Sequence, residues 1–289
     1  MTVTEAFNTF KSELELPDRK QAQASTAQQD IRARISDHLY VADSLLTGSY
    51  PRHTKIYPLD DIDILLIRNT APVNVSTDGR GTSPNQALDQ VAEAIRKAYP
   101  LTATVKKQSR SINAQISGLD FGFDIIPAWM RNPDGYWIPD TDSNSWIPTN
   151  PEWHSERLTE ANTNLQQRLK PVIKMIKHWN RHNYELLRSF HIELICKDLF
   201  TTWQLPNYPI GVATVLSNMV PYIGQLMMDP AYNSCRVDKP LSTEDRDKLV
   251  QRVNGDGIRA LEALQLEASG QHTEAIEKWK YIFLNGFPK

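Results

Sequence analysis

The chain has 289 residues, and its 32 Lys and Arg against 34 Asp and Glu leave a formal net charge of −2. That balance argues against a protein whose main task is gripping a phosphate backbone, which takes a strong basic excess, although a local basic patch is compatible with it. With 40 % apolar and 23 % charged residues, the composition is that of a globular chain long enough for one large domain or two lobes.

The N-terminus, MTVTEAFNTFKSELELPDRK, is amphipathic and charged. It lacks the apolar stretch of a secretion signal, so a cytoplasmic protein is expected. Asn74-Val75-Ser76 spells a glycosylation acceptor, which without export is a chance match. Residues 1–46 read as helical, because Phe7, Phe10, Leu14 and then Ile31, Ile35, Leu39 recur at spacings of three and four. Gly48-Ser49 interrupts that pattern. Residues 61–67, DIDILLI, read as a strand, and 70–85 as a polar loop. Leu88 to Ala98 reads as a short helix, and 102–107 and 111–126 as strands. Residues 131–156 carry Pro133, Pro139, Pro148 and Pro151 and read as a long loop.

From Leu158 onward only helical patterns occur. No charged residue lies between Asp198 and Asp229, but Pro206, Pro209, Pro221, Gly211 and Gly224 break that stretch. Buried core helices broken by turns are expected there, not a membrane span. The order of elements predicts an α+β fold: a catalytic lobe with a mixed sheet over 1–155, N-terminal helix included, and a helical lobe over 156–289.

The two cysteines, Cys196 and Cys235, form no CxxC pair. A structural zinc knuckle is therefore excluded and a disulfide scaffold is not expected. His178, His182 and His191 make no metal spacing with either cysteine and read as structural or surface residues.

The sharpest feature is Gly48-Ser49, eleven residues, then Asp61-Ile62-Asp63. Residues i and i+2 of a strand share a face, so Asp61 and Asp63 project together while Ile62 and Ile64 point inward. Asp124, on a separate strand, can complete a cluster of three carboxylates. Asp60 lies off that face, and Asp120 lies four residues from Asp124. Three unpaired carboxylates repel one another and raise their own pKa values. Divalent cations relieve that repulsion: Mg²⁺ prefers oxygen ligands and shares them with substrate phosphates. Gly48 lets the backbone approach a phosphate, and Ser49 offers a hydroxyl and an N–H to it. A DxD pair alone is common on solvent-facing strands. The GS spacing and the third Asp are what turn the pattern toward chemistry.

GS-x11-DID followed by FDIIPAW resembles the DNA polymerase β-type nucleotidyltransferase superfamily. More narrowly, LLTGSYPRHTKIYPLDDIDILLI resembles the cGAS/DncV-like nucleotidyltransferases (CD-NTases), bacterial cyclic-oligonucleotide synthases of antiphage systems. The resemblance continues through YWIPDTDSNSWIPTNP, LKPVIKMIKHWN, SFHIELI and AIEKWKYIFLNGFP, nearly the whole chain. It implies a polymerase β-like lobe and a helical lobe with the active cleft between them. It also implies Asp61, Asp63 and Asp124 as metal ligands for two Mg²⁺ ions, with Mn²⁺ a possible substitute. Gly48 and Ser49 become the phosphate-holding turn, and Asp124 helps to activate the acceptor hydroxyl. Lys174 and Lys177 fall on the family's triphosphate-contacting helix, with Lys177 the better candidate. Ser189 falls on its serine phosphate contact, and Phe190 where an aromatic often stacks on a base.

The residues of that helix give a compatible reading. Val172, Ile176 and Trp179 form a core stripe, and Lys170, Lys174, Lys177 and Arg181 a basic one. Lys170 and Arg181 read as a solvated face, while one or two lysines beside the metals suit a triphosphate. Phe190 can equally be an ordinary core aromatic.

The expected function is the joining of NTPs, ATP and/or GTP, into a cyclic di- or trinucleotide with release of pyrophosphate. The product would act on a downstream effector in antiphage signalling. No zinc, obligatory nucleic acid or membrane partner is expected. P-loop, HExxH, GxSxG and GxGxxG motifs are missing, since Gly79 and Gly81 are followed by Pro84. Two rivals stay open: a transferase adding nucleotides linearly to RNA or protein, and a non-catalytic nucleotide sensor.

Overall fold

The computed structural model describes residues 1–68, 82–284 and 286–288. The glycosylation acceptor at Asn74, Gly79 and Gly81, and the expected loop as far as residue 81, lie outside the described residues.

The first helix, α1 (Val3–Leu14), starts at a capping box in which Thr2 and Glu5 satisfy each other's backbone N–H. Its buried stripe is Val3, Ala6, Phe7, Phe10 and Leu14. The second, α2 (Asp18–Ser36), buries Ala24, Gln28, Ile31 and Ile35. Helix does not run on to residue 46 as the periodicity suggests. Residues Asp43–Thr47 form strand β1, which pairs antiparallel with β2 (Asp61–Ile67). Leu45 and Leu46 have no strong local preference, and pairing with the largely buried β2 decides their conformation.

Helix α3 (Pro84–Ala98) follows a second capping box at Ser83. The expected 111–126 strand region is two strands, because Gly118, at φ +90°, sits in a turn between β4 (Ile112–Ile116) and β5 (Gly122–Met130). With β3 (Ala103–Lys107) the main sheet has the order β1-β2-β5-β4-β3. β2 and β5 run parallel at its centre, and the other neighbours are antiparallel.

The long loop expected over 131–156 is mostly structured. Strands β6 (Tyr136–Asp140) and β7 (Ser145–Thr149) form a hairpin attached to the far end of β5. The prolines suggested a loop, yet Pro139 lies beyond the part of β6 that pairs with β5, and Pro148 lies on the edge strand β7. Their missing N–H groups break no central ladder. Tyr136, Ile138 and Ile147 pack a small third core against Leu65, Ile67 and Ala128, and Trp129 stands edge-on to Trp146 at 4.6 Å.

The remainder is mostly helical: α4 (Pro151–Asn164), α5 (Leu169–His182), α6 (Ser189–Leu199), α7 (Tyr208–Asn218), α8 (Thr243–Ala268) and α9 (His272–Phe283), but residues 223–242, expected as helix, form turns with a β-bridge between Met228 and Arg236. The charge-free stretch supplies α7, whose Val212, Ala213, Val215 and Leu216 are core. Among the described residues no helix is long and apolar enough to cross a membrane.

Two large cores result. One joins α2 and α3 to the sheet; the other is the helical bundle. Although α1 comes first in sequence, its side chains belong to the bundle core: Phe7 stands edge-on to Trp279 at 4.9 Å and Phe10 lies 4.6 Å from Phe283. Helix α4 straddles the expected lobe boundary at 155/156, and its Leu158 packs in the bundle.

Candidate active site

Strand β2 turns Ile62 and Ile64 into the sheet core, both with no exposed surface, and so turns Asp61 and Asp63 to the other face. The parallel register sets Asp63 directly beside Asp124 and Asp61 beside Gly122. A Cβ on Gly122 would lie 2.2 Å from Gln115 Nε2 and 2.3 Å from Asp61 Oδ1, so glycine lets both side chains stand as they do. Antiparallel β4 brings in a residue that sequence reasoning missed. Asn113 Nδ2 donates to Asp61 Oδ1 at 3.1 Å and to Asp124 Oδ1 at 3.0 Å. Its signal is faint: Asn113 and Gln115 alternate as polar residues in a strand otherwise made of Ile and Ala.

Three carboxylates on one half-buried face perturb one another as expected. Burial, then the charge of Asp124, raises the Asp61 carboxyl. Burial, then Asp124, pushes Asp63 up to about 7, against the opposing charge of Arg52. Burial raises Asp124 too, with the Asn113 amide pulling the other way. The turn after β1 closes over this group. Gly48 has φ +69°, and a Cβ on it would lie 1.8 Å from Asp63 Oδ2. Only glycine fits that backbone and that space. The Ser49 carbonyl accepts from the Thr54 N–H at 3.1 Å and so shapes the loop that leads on to β2.

Opposite the carboxylates stand α5 and α6. Between the two walls lies a cavity of about 340 Å³ that touches Gly48, Ser49, Asp61, Asp63 and Asp124 on one side. Lys177, Ser189 and Phe190 touch it on the other. A second cavity of about 300 Å³ shares Gly48, Arg52, Asp63 and Phe190 with the first, so the cleft has two adjoining chambers.

Eight of the nine candidate residues meet in this cleft, and one does not. Lys174 is buried against Glu15, Nζ to Oε2 2.5 Å, outside the cavity lining. Lys177 lines the cavity, but its Nζ is already held by Glu193 Oε1 at 2.7 Å and by Thr54. Ser189, itself exposed, is the first residue of α6. Phe190 is half-buried between the Arg52 guanidinium, 5.1 Å from the ring centre, and His154, 4.9 Å away.

Arg181, read from sequence as a solvated residue, instead lines the cleft. It pairs with Asp60 and donates to the Pro58 carbonyl at 3.2 Å, because the loop before β2 packs onto the basic stripe of α5. Lys170 is half-buried and bonds Thr159. Asp120 pairs with Lys20 at 2.5 Å, apart from the site. Arg52, Thr54 and Glu193 were also missed. Glu193 did leave a trace, as the one charged residue in the apolar run 192–196 of α6.

Among the described residues, no group of three or more His, Cys, Asp or Glu side chains stands, as placed, around a single metal position. The Asn113 amide occupies the space between Asp61 and Asp124 and bonds both. The donor chemistry still fits a hard divalent cation: three carboxylates on adjoining strands share one face and remain raised despite Asn113 and Arg52.

The Second Messenger Oligonucleotide or Dinucleotide Synthetase domain model matches residues 1–162. A probable cyclic nucleotide synthase of Bacillus cereus is 28 % identical over 83 % of this chain and 81 % of its own length. A cyclic AMP-AMP-AMP synthase of an Acinetobacter species is 28 % identical over 100 % of this chain and 86 % of its own. Among solved structures, Escherichia coli CdnC with ATP superposes at a TM-score of 0.75, with 19 % identity and 99 % of both chains covered. Vibrio cholerae DncV, a cyclic AMP-GMP synthase, superposes at 0.79, with 11 % identity over 100 % of this chain and 98 % of its own. At these identities the likeness establishes the fold, a polymerase β-like lobe with a mixed sheet joined to a helical lobe.

Proposed function

Since the chain belongs to the Second Messenger Oligonucleotide or Dinucleotide Synthetase family, we propose that it joins NTPs into a cyclic oligonucleotide. The observation that carries this reading is the convergence of Asp61, Asp63 and Asp124 beside the Gly48 turn, in a cleft with two adjoining chambers.

One NTP lies with its triphosphate between the Gly48-Ser49 turn and the α5–α6 wall, near Lys177 and Ser189. The second occupies the adjoining chamber and presents a ribose hydroxyl. That oxygen attacks the α-phosphorus, a new P–O bond forms, the bond to the β-phosphate breaks, and pyrophosphate leaves. An Asp124 oxygen takes the hydroxyl proton, a role that its raised affinity for protons suits. Further transfer closes the ring. Asp61, Asp63 and Asp124 would hold Mg²⁺ or Mn²⁺, which when bound supplies charge neutralisation and alignment of the reacting oxygens. Most of the acceleration then comes from positioning and electrostatics, not from a covalent enzyme intermediate. Phe190 would give an edge or face to a base. We assign ATP and/or GTP as substrates and place the reaction in the cytoplasm. The product would act on a separate effector in antiphage signalling.

The test is incubation of the protein with all four NTPs and Mg²⁺ or Mn²⁺, followed by phosphatase treatment and mass spectrometry. A cyclic product has no terminal phosphate to lose and survives unchanged. Products that shorten by terminal phosphates point to linear addition instead, and no metal-dependent turnover points to a sensor; either outcome ends the cyclic reading. Replacing Asp61 and Asp63 together with Asn should cut product formation roughly a thousandfold or more while the protein stays folded.

A further inference from the structure

Behind the cleft wall lies a buried polar cluster that joins the two lobes. Glu193 of α6 is 2 % exposed. Its Oε2 accepts from Arg52 Nε at 2.7 Å, and its Oε1 from Arg52 Nη2 at 3.3 Å. The same Oε1 accepts from Lys177 Nζ and from the Thr54 hydroxyl, each at 2.7 Å. Arg52 and Thr54 come from the connection between β1 and β2, whereas Lys177 and Glu193 come from α5 and α6. Arg52, Thr54 and Lys177 line the cavity that holds the carboxylates, and Glu193 does not. Among the described residues no other carboxylate bonds Arg52 or Lys177.

Two cations thus share one anion in a place from which water is excluded. An arrangement of this kind is costly to break by removing one partner. Burial alone would raise the Glu193 carboxyl, but the charges of Lys177 and Arg52 outweigh it and hold it down at about 2. Burial also pushes the Lys177 amine toward its neutral form, and Glu193 is the main group opposing this. Arg52 meets Glu193 as a planar two-point fork, a geometry that a lysine cannot reproduce.

We propose that Glu193 is a positioning residue: it holds Arg52 and Lys177, one from each lobe, at the cleft wall as a pre-formed cationic seat for a polyphosphate. Glu193 never touches the ligand. It fixes two donors from behind, so that their charge, in excess by one over its own, stands at the chamber wall beside Asp63, the carboxylate it opposes. This inference rests on the proposed use of NTPs but concerns only the recognition of their phosphates, and it extends to Arg52, which the sequence reading gave no role.

The test is calorimetric titration of the full chain with inorganic tripolyphosphate in EDTA, which removes base, sugar, metal and turnover from the measurement. Adenosine titrated in parallel serves as the uncharged control. The wild-type protein should bind tripolyphosphate. E193Q should weaken that binding by roughly tenfold or more, the scale of a lost charge-assisted contact, and leave adenosine binding unchanged. R52K keeps every charge, and so keeps the fold if E193Q does not; it should also weaken tripolyphosphate binding several-fold, because the fork on Glu193 is gone. Wild-type protein that ignores tripolyphosphate, folded variants that bind it as wild type does, or an equal loss for adenosine would each overturn the proposal. The synthase reading fails separately: protein that seats tripolyphosphate in this way yet joins no nucleotides overturns that reading and leaves this one standing.

Discussion

The carboxylates of β2 and β5 carry opposing demands, since they must be close to act together and closeness makes them repel. Asp63 shows this most clearly, because burial and Asp124 push it up to about 7. An acid with a raised folded-state pKa destabilises the folded protein above that pKa, and the penalty fades as pH falls toward the unfolded value. Asp63→Asn should therefore stabilise the metal-free protein at pH 8 by about 2 kcal/mol, with the gain shrinking below pH 7 and lost near pH 4. Urea unfolding in EDTA at several pH values measures this, and a gain that ignores pH would contradict the burial of the group. Gly48 is under a different constraint, steric on both counts. Gly48→Ala puts a methyl group onto Asp63 Oδ2 and asks Ala for φ +69°. It should cost about 1–3 kcal/mol of stability and remove turnover by displacing Asp63. Thermal unfolding and product assays decide, and wild-type behaviour in both would remove the turn from the site.

At the scale of elements, α5 is the member whose position matters most. It is pinned by Trp179, whose indole N–H donates to Asp256 Oδ2 of α8 at 2.8 Å, so that its basic stripe meets the loop before β2. Helix α1 contributes to that support from the other end of the chain. Phe7 is fully buried against Trp279, Phe283 and Phe287. Phe7→Ala should destabilise by about 3–5 kcal/mol, the usual range for deleting a buried aromatic. Hydrogen exchange should then speed up in α5 and α9 and leave β2 and β5 protected. Loss of protection in the sheet first would show that α1 supports the other lobe.

Across the whole molecule, the lobes are tied by contacts of two kinds. The Glu193 cluster is buried, while the Arg181–Asp60 pair sits at the cleft rim with Asp60 largely in solvent. Exposed pairs contribute little, so Asp60→Asn should change stability by less than about 1 kcal/mol in a denaturation measurement. A larger loss would make the rim pair a structural tie equal to the buried one.

Much of this protein is written locally. The DID alternation marks a strand with two carboxylates on one face, and the Gly48-Ser49 spacing marks the turn beside it. The three-and-four periodicities mark α1, α5 and the bundle. These patterns are legible because each depends on residues a few positions apart. The β1 strand and the place of α1 in the C-terminal bundle depend on partners farther along the chain, and the β6–β7 hairpin is local but masked by its prolines. So do Asn113 between two carboxylates and Glu193 behind two cations, 141 residues separating Glu193 from Arg52. Local spacing decides which way a side chain points from its own element, but only packing decides what it meets there.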